Sequence, residues 1–167
     1  MSQFEFRGVL TLTRRPPQIA RMSKTWTRLA CFEHFGAECK NPRWSWSAKS
    51  PDGQTVVMTM WQDEIRREGD AIVYQSYPRR RERKRPGASE RLENLLWARE
   101  RCGGLVRVVI MRAKDTKADP RSIAGCFPQD RLVMRITSID EATGAFRAEV
   151  HNPMPRGPKG EKRAPPT

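Results

Sequence analysis

The stretch from Arg43 to Trp61 constrains the fold more than any other part of the chain. Trp44, Trp46 and Ala48 alternate with Ser45, Ser47 and Lys49, the two-residue period of a strand with one aromatic and one polar face. Ser50-Pro51-Asp52-Gly53 follows, where proline presets φ at the second turn position and glycine accepts a left-handed backbone. The return strand from Thr55 to Trp61 places Val56, Met58 and Met60 on one side and Val57, Thr59 and Trp61 on the other. A hairpin alone is marginal in water, so other apolar segments must cover it.

The rest of the chain supplies those segments. Ser23 is a fitting N-cap for a helix through Phe35, with Trp26, Leu29, Ala30 and Phe32 inward and Gly36 as its stop. Gly69-Asp70 makes a turn into a short strand, Ala71 to Tyr74. A second helix fits residues 89–102, with Leu92, Leu95 and Leu96 as its apolar stripe and Gly103-Gly104 ending it. Leu105 to Met111 reads as a buried strand, and Asp119-Pro120 as the start of a short helix ending near Cys126. Residues 131–137 and 145–150 form a last hairpin that turns through Asp140 to Gly144.

Hairpins dominate and no βαβ alternation is sustained. The expected class is α+β: a curved antiparallel sheet or small open β-barrel flanked by two or three helices. A chain of 167 residues predicts one domain, assigned to 23–150. Residues 1–22 form a basic arm or edge strand (Phe4 to Leu12, ended by Pro16-Pro17), and 151–167 a disordered tail rich in proline and lysine.

Charge then points to a partner. The formal net charge is +13; the arm and the tail carry +3 each and Arg79-Arg80-Arg81-Glu82-Arg83-Lys84-Arg85 carries +5, which leaves only +2 for everything else. The body is nearly neutral, and the excess is confined to two ends and one segment, expected as an exposed loop over 78–87. Six cations in seven residues repel one another, whereas opposite a phosphate backbone they release condensed counterions. Arginine outnumbers lysine five to one there, which favours two-pronged phosphate contacts. The partner expected is nucleic acid, DNA ahead of RNA, held at Arg79, Arg80, Arg81, Arg83, Lys84 and Arg85. A phosphate grip gives affinity without sequence choice.

The tryptophans could supply the choice. Trp44, Trp46 and Trp61 fall on adjacent strands of one hairpin, where aromatic faces can stack an unpaired or extruded base. Ordinary core packing competes with that role at each of them. Gly69-Asp70-Ala71-Ile72-Val73-Tyr74, with a polar turn before it and the basic segment after it, resembles the Gly-Asp-x-hydrophobic-x-aromatic segment of the PUA-like superfamily, which includes the EVE, ASCH and SRA domains. The resemblance spans residues 43–150 loosely. It implies a small curved barrel that reads RNA or modified DNA bases, with Trp44, Trp46, Trp61 and Tyr74 as pocket residues and no catalytic residue carried over.

Other chemistries have thinner support. Cys31, His34 and Cys39 have ligand-like spacing, but a structural zinc site wants a second close pair, and only the distant Cys102 and Cys126 remain. No metal or cofactor is therefore expected. His34 and His151 are the only histidines. Carboxylates at Glu38, Asp63 and Glu64 make a metal-dependent nuclease the main rival reading, and an interaction domain with an acidic protein partner the next. No apolar run approaches the ~18 residues needed to cross a bilayer. The expectation is a non-enzymatic protein of the cytoplasm or nucleoid, its four cysteines reduced.

Overall fold

The computed structural model describes residues 25–151; the basic arm, Ser23 and the tail beyond His151 lie outside that range. The described elements are α1 (Arg28–His34), β1 (Ser47–Lys49), β2 (Val56–Trp61), a 3-10 turn (Gln62–Glu64), β3 (Ile65–Glu68), β4 (Ala71–Ser76), α2 (Arg80–Arg83), α3 (Pro86–Arg101), β5 (Leu105–Ala113), β6 (Ile123–Ile139) and β7 (Phe146–Val150). The strands form one seven-stranded sheet in the order β1-β2-β5-β6-β7-β4-β3. Every neighbouring pair is antiparallel except β2 with β5, which run parallel, so the sheet is mixed.

Connectivity forces that sheet to curve. β2 and β3 lie five strand positions apart, roughly 24 Å in a flat sheet. Yet the chain passes from Trp61 to Ile65 through the 3-10 turn alone, four Cα steps that span at most about 15 Å. The two ends of the sheet must therefore curl toward each other without closing. β6 shows where it bends: Arg107 pairs with Val133 while the next residue, Val108, pairs with Gln129, so Asp130, Arg131 and Leu132 bulge out of the ladder.

Both faces are covered. The concave side holds Val56, Met58, Met60, Tyr74, Met134 and Phe146 against Leu95 and Ala98 of α3. The other side packs Val57, Val109, Met111 and Cys126 against Cys31 and Phe32 of α1. This is the division of β2 expected from its alternation.

The hairpin forms about its Ser50–Gly53 turn, where the Gly53 amide donates to the Ser50 carbonyl at 2.9 Å. Gly53 has φ +72°, and a Cβ there would come within 2.7 Å of the Trp97 ring, whose Nε1 donates to the Gly53 carbonyl at 2.9 Å. Glycine is required twice over, for the backbone and for space.

Several expected elements differ. α1 is shorter at its start than the helix drawn from Ser23, because the Thr27 hydroxyl accepts from the Ala30 amide and caps it there. The first strand begins only at Ser47; Trp44 belongs to a turn in which the Trp44 and Ser45 amides donate to the Asn41 carbonyl. Trp44 and Trp46 therefore do not share a strand face. Ser45 and Ser47, the polar face of the expected strand, are both buried: Ser45 Oγ accepts from the Asn41 amide, and Asn94 Nδ2 of α3 donates to Ser47 Oγ at 2.8 Å.

The helix drawn from Ser89 starts at Pro86, whose missing N–H costs nothing in the first turn. Its buried stripe is Glu90, Asn94, Leu95 and Ala98, half polar, with Glu90 Oε2 accepting from the Lys40 amide at 2.7 Å. The basic segment is not a plain loop, since Arg80–Arg83 make one helical turn. The helix expected from Asp119 to Cys126 is strand instead: Ile123 and Cys126 pair with Ala113 and Met111 and bury against the α1 side. β3 was absent from the sequence reading.

Candidate functional site: an aromatic cavity under the arginine segment

The curl of the sheet leaves an open cleft between the end of β2 and the end of β4, about 670 Å³ only when the solvent at its mouth is counted in. Trp46, Trp61 and Tyr74 line it together with Arg79 and Arg85. Five of the ten residues expected to contact nucleic acid thus meet at one place.

The aromatic wall is built from both ends of the sheet. Trp46 and Trp61 meet with ring centroids 6.3 Å apart and planes tilted by 54°, forming a corner. Trp46 is braced from α1 by Arg28, whose guanidinium carbon lies 5.1 Å from the ring centroid and whose Nη1 and Nη2 donate to the carbonyls of Ser45 and Arg43. Burial lowers the Arg28 pKa from its ordinary value. Gly87, at the start of α3, allows the helix to approach: a Cβ there would sit 2.3 Å from Trp46 Cδ1 and 2.4 Å from the Trp44 carbonyl oxygen. Tyr74, from β4, is buried against Phe146 with centroids 5.5 Å apart.

The floor is polar. Tyr74 donates its hydroxyl to Glu64 Oε2 at 3.0 Å, and Glu64 comes from the 3-10 turn that ties the two sheet ends together. Arg121, from the β5–β6 connection, donates to Asp63 Oδ1 at 2.9 Å and lies 3.6 Å from Glu64 Oε1. Burial pushes the Glu64 carboxyl above the usual range; Tyr74 and Arg121 oppose that shift, while Asp63 and Glu82 add to it. The Tyr74 phenol is raised too, first by burial and then by the Glu64 charge.

The rim is basic but partly tied. Arg79 reaches Asp119 Oδ2 at 2.8 Å, linking the arginine segment to the β5–β6 connection. The Arg79 amide donates to Glu82 Oε2 at 3.1 Å, and Arg83 Nε donates to the Pro78 carbonyl at 3.2 Å, which orders the helical turn. Arg80, Arg81 and Lys84 are exposed and do not line the cavity, nor does Trp44.

Sequence reasoning missed Tyr77, Arg91, Asp119 and Arg121 at this site. Tyr77 stands next to the rim at 74% exposure, the one large apolar side chain so exposed among the described residues. That residue was legible as an aromatic directly before the basic run; the others needed the curl of the sheet. Of the nuclease candidates, Glu64 lines this floor and Asp63 stands behind it on Arg121, whereas Glu38 does not line it and pairs through its backbone with Lys49.

His34 pairs with Asp130 and lies edge-on to Trp26. Among the described residues no three His, Cys, Asp or Glu side chains gather where they could hold a metal ion. No helix there is long and apolar enough to cross a membrane. No protein-family model, no curated protein and no solved structure matches this chain.

Proposed function

We propose that this protein binds nucleic acid by receiving an unpaired or modified base between Trp46, Trp61 and Tyr74 while the Arg79–Arg85 segment holds the adjoining phosphates. The observation that carries this reading is that aromatic and arginine residues far apart in the sheet order converge on one open cleft. Stacking of a base on an aromatic ring contributes about 1–3 kcal/mol. The PUA-like resemblance points the same way, and DNA stays ahead of RNA. The nuclease reading has less behind it, because Asp63 and Glu64 already face the Arg121 guanidinium and, among the described residues, no three acids gather where they could hold a metal ion.

Fluorescence anisotropy with single-stranded, duplex and base-modified oligonucleotides over a salt series tests the proposal. Contact with about four phosphates of a duplex gives a log–log salt slope of about −3 to −4. A flat salt response, or no association in dilute buffer, overturns it.

A further inference from the structure

We infer that Glu64 is the base-reading group of this cavity and selects a base presenting two adjacent N–H donors, guanine above adenine, cytosine and thymine. The inference rests on the nucleic-acid reading above and gives that site a substrate class.

The acceptor capacity of the floor carries it. An ionised carboxylate offers about four acceptor positions over its two oxygens. Tyr74 fills one on Oε2, and Arg121 stays beyond hydrogen-bond reach of Oε1 at 3.6 Å, having committed its short contact to Asp63. Both oxygens therefore keep capacity for a donor from the cavity side. The Glu64 side chain is one-third exposed (33%), enough to be reached. Glu82 and Asp119 line the same cavity as Arg79, Arg85, Arg91 and Arg121, so it offers acceptors for base N–H groups beside cations for a phosphate. A nucleotide fits that pairing with its phosphate on the arginines and its N–H groups on the acids.

The four DNA bases meet such a floor differently. Guanine alone has a ring N1–H and an exocyclic N2 amine side by side, with O6 next to them as an acceptor for Arg121. Adenine and cytosine each place a lone-pair nitrogen beside their amine, and a carboxylate repels it. Thymine has one N–H between two carbonyls.

A proton on Glu64 would convert one acceptor into a donor and weaken the preference. Burial raises its pKa, with Asp63 beside it and Glu82 from α2 in the same direction and Tyr74 from β4 and Arg121 against it, while Arg79 and Arg91 also line the cavity. The guanine advantage is therefore expected to fade at a higher pH than an exposed glutamate would dictate.

The test uses the full chain and duplexes carrying one bulged nucleotide, G, A, C, T or inosine, the last lacking the N2 amine. The bulged G is expected to bind about tenfold tighter than the other three standard bases, the scale of a good two-pronged base contact. Inosine is expected to lose most of that advantage. Glu64→Gln, with its fold checked by circular dichroism, is expected to level the ranking while base-independent, salt-sensitive binding persists. Equal binding of all bulges, full binding of inosine, or a ranking that survives Glu64→Gln overturns the inference and leaves the nucleic-acid reading standing. If none of the probes binds in dilute buffer, both fall. The inosine comparison uses the unaltered protein, so it decides even if the variant misfolds.

Discussion

Arg121 lies across the indole of Trp61, its guanidinium carbon 5.2 Å from the ring centroid, while its Nη1 grips Asp63. One side chain thus holds the aromatic wall and the acidic floor of the cavity together, and at 16% side-chain exposure it is well sheltered. Replacing it with alanine removes a charged hydrogen bond and a stacking partner at once. Arg121→Ala is expected to lower unfolding stability by about 1–3 kcal/mol in urea titrations and to weaken binding of every bulged probe. Unchanged stability would show that Asp63 and Trp61 hold their places without it.

The arginine segment divides into free and tied members. Arg80 and Arg81 are exposed and have no ion-pair partner among the described residues. Arg80→Gln and Arg81→Gln are each expected to weaken all sequences alike and to flatten the log–log salt slope by about one. Arg79 is tied to Asp119. Asp119→Asn is therefore expected to tighten base-independent binding by up to about fivefold, the worth of an exposed ion pair. Anisotropy titrations at three salt concentrations separate the two effects.

Gly87 separates the fold from the wall of the site. A methyl group there overlaps Trp46 and the Trp44 carbonyl, so the start of α3 must retreat or the indole must turn. Gly87→Ala is expected to destabilise by about 1–3 kcal/mol and to shift tryptophan fluorescence. A fully native emission spectrum would contradict the close approach.

Acid sensitivity has two opposing parts. Asp52 and Asp140 are held below the ordinary 3.8 chiefly by Ser50 and Thr143, and Glu68 below 4.5 chiefly by Arg147. These groups bind fewer protons folded than unfolded, so the stability they lend is present above those ordinary values and disappears as pH falls through the lowered ones. Glu64 has the reverse sign: its raised pKa means the folded state holds the proton longer, and stability is lost as pH rises through that window. Urea midpoints from pH 7 to pH 2 are expected to show Asp52→Asn flattening the acid limb. Glu64→Gln is expected to stabilise at neutral pH by removing a half-buried charge, an advantage that vanishes in acid.

How far the sequence revealed all this depended on the range of the physics involved. The Ser50–Gly53 turn, the two sides of β2, the strand at Leu105 and the last hairpin follow from local periodicity and turn chemistry, and they form as expected. The burial of Ser45, Ser47 and Glu90 was not legible, because it depends on partners that only the fold supplies: the Asn41 amide, Asn94 and the Lys40 amide. The parallel pairing of β2 with β5 places residues some fifty positions apart side by side, beyond any short window. Likewise Trp46, Trp61, Tyr74, Arg79 and Arg85 could be picked out by type, whereas Asp119 and Arg121 reach them from the β5–β6 connection, where the sequence pattern suggests the start of a helix.

The short link from Trp61 to Ile65 also sets an order of assembly. When synthesis has reached residue 104, β1 to β4 and α3 exist, but the three strands that lie between β2 and β4 have not yet been made. Until β5, β6 and β7 are inserted, β2 and β4 each present an unpaired edge, the kind of template that recruits stray strands. β5, β6 and β7 together space the two halves, so a lesion around Met134, in the same core as Tyr74, is expected to alter the width of the mouth.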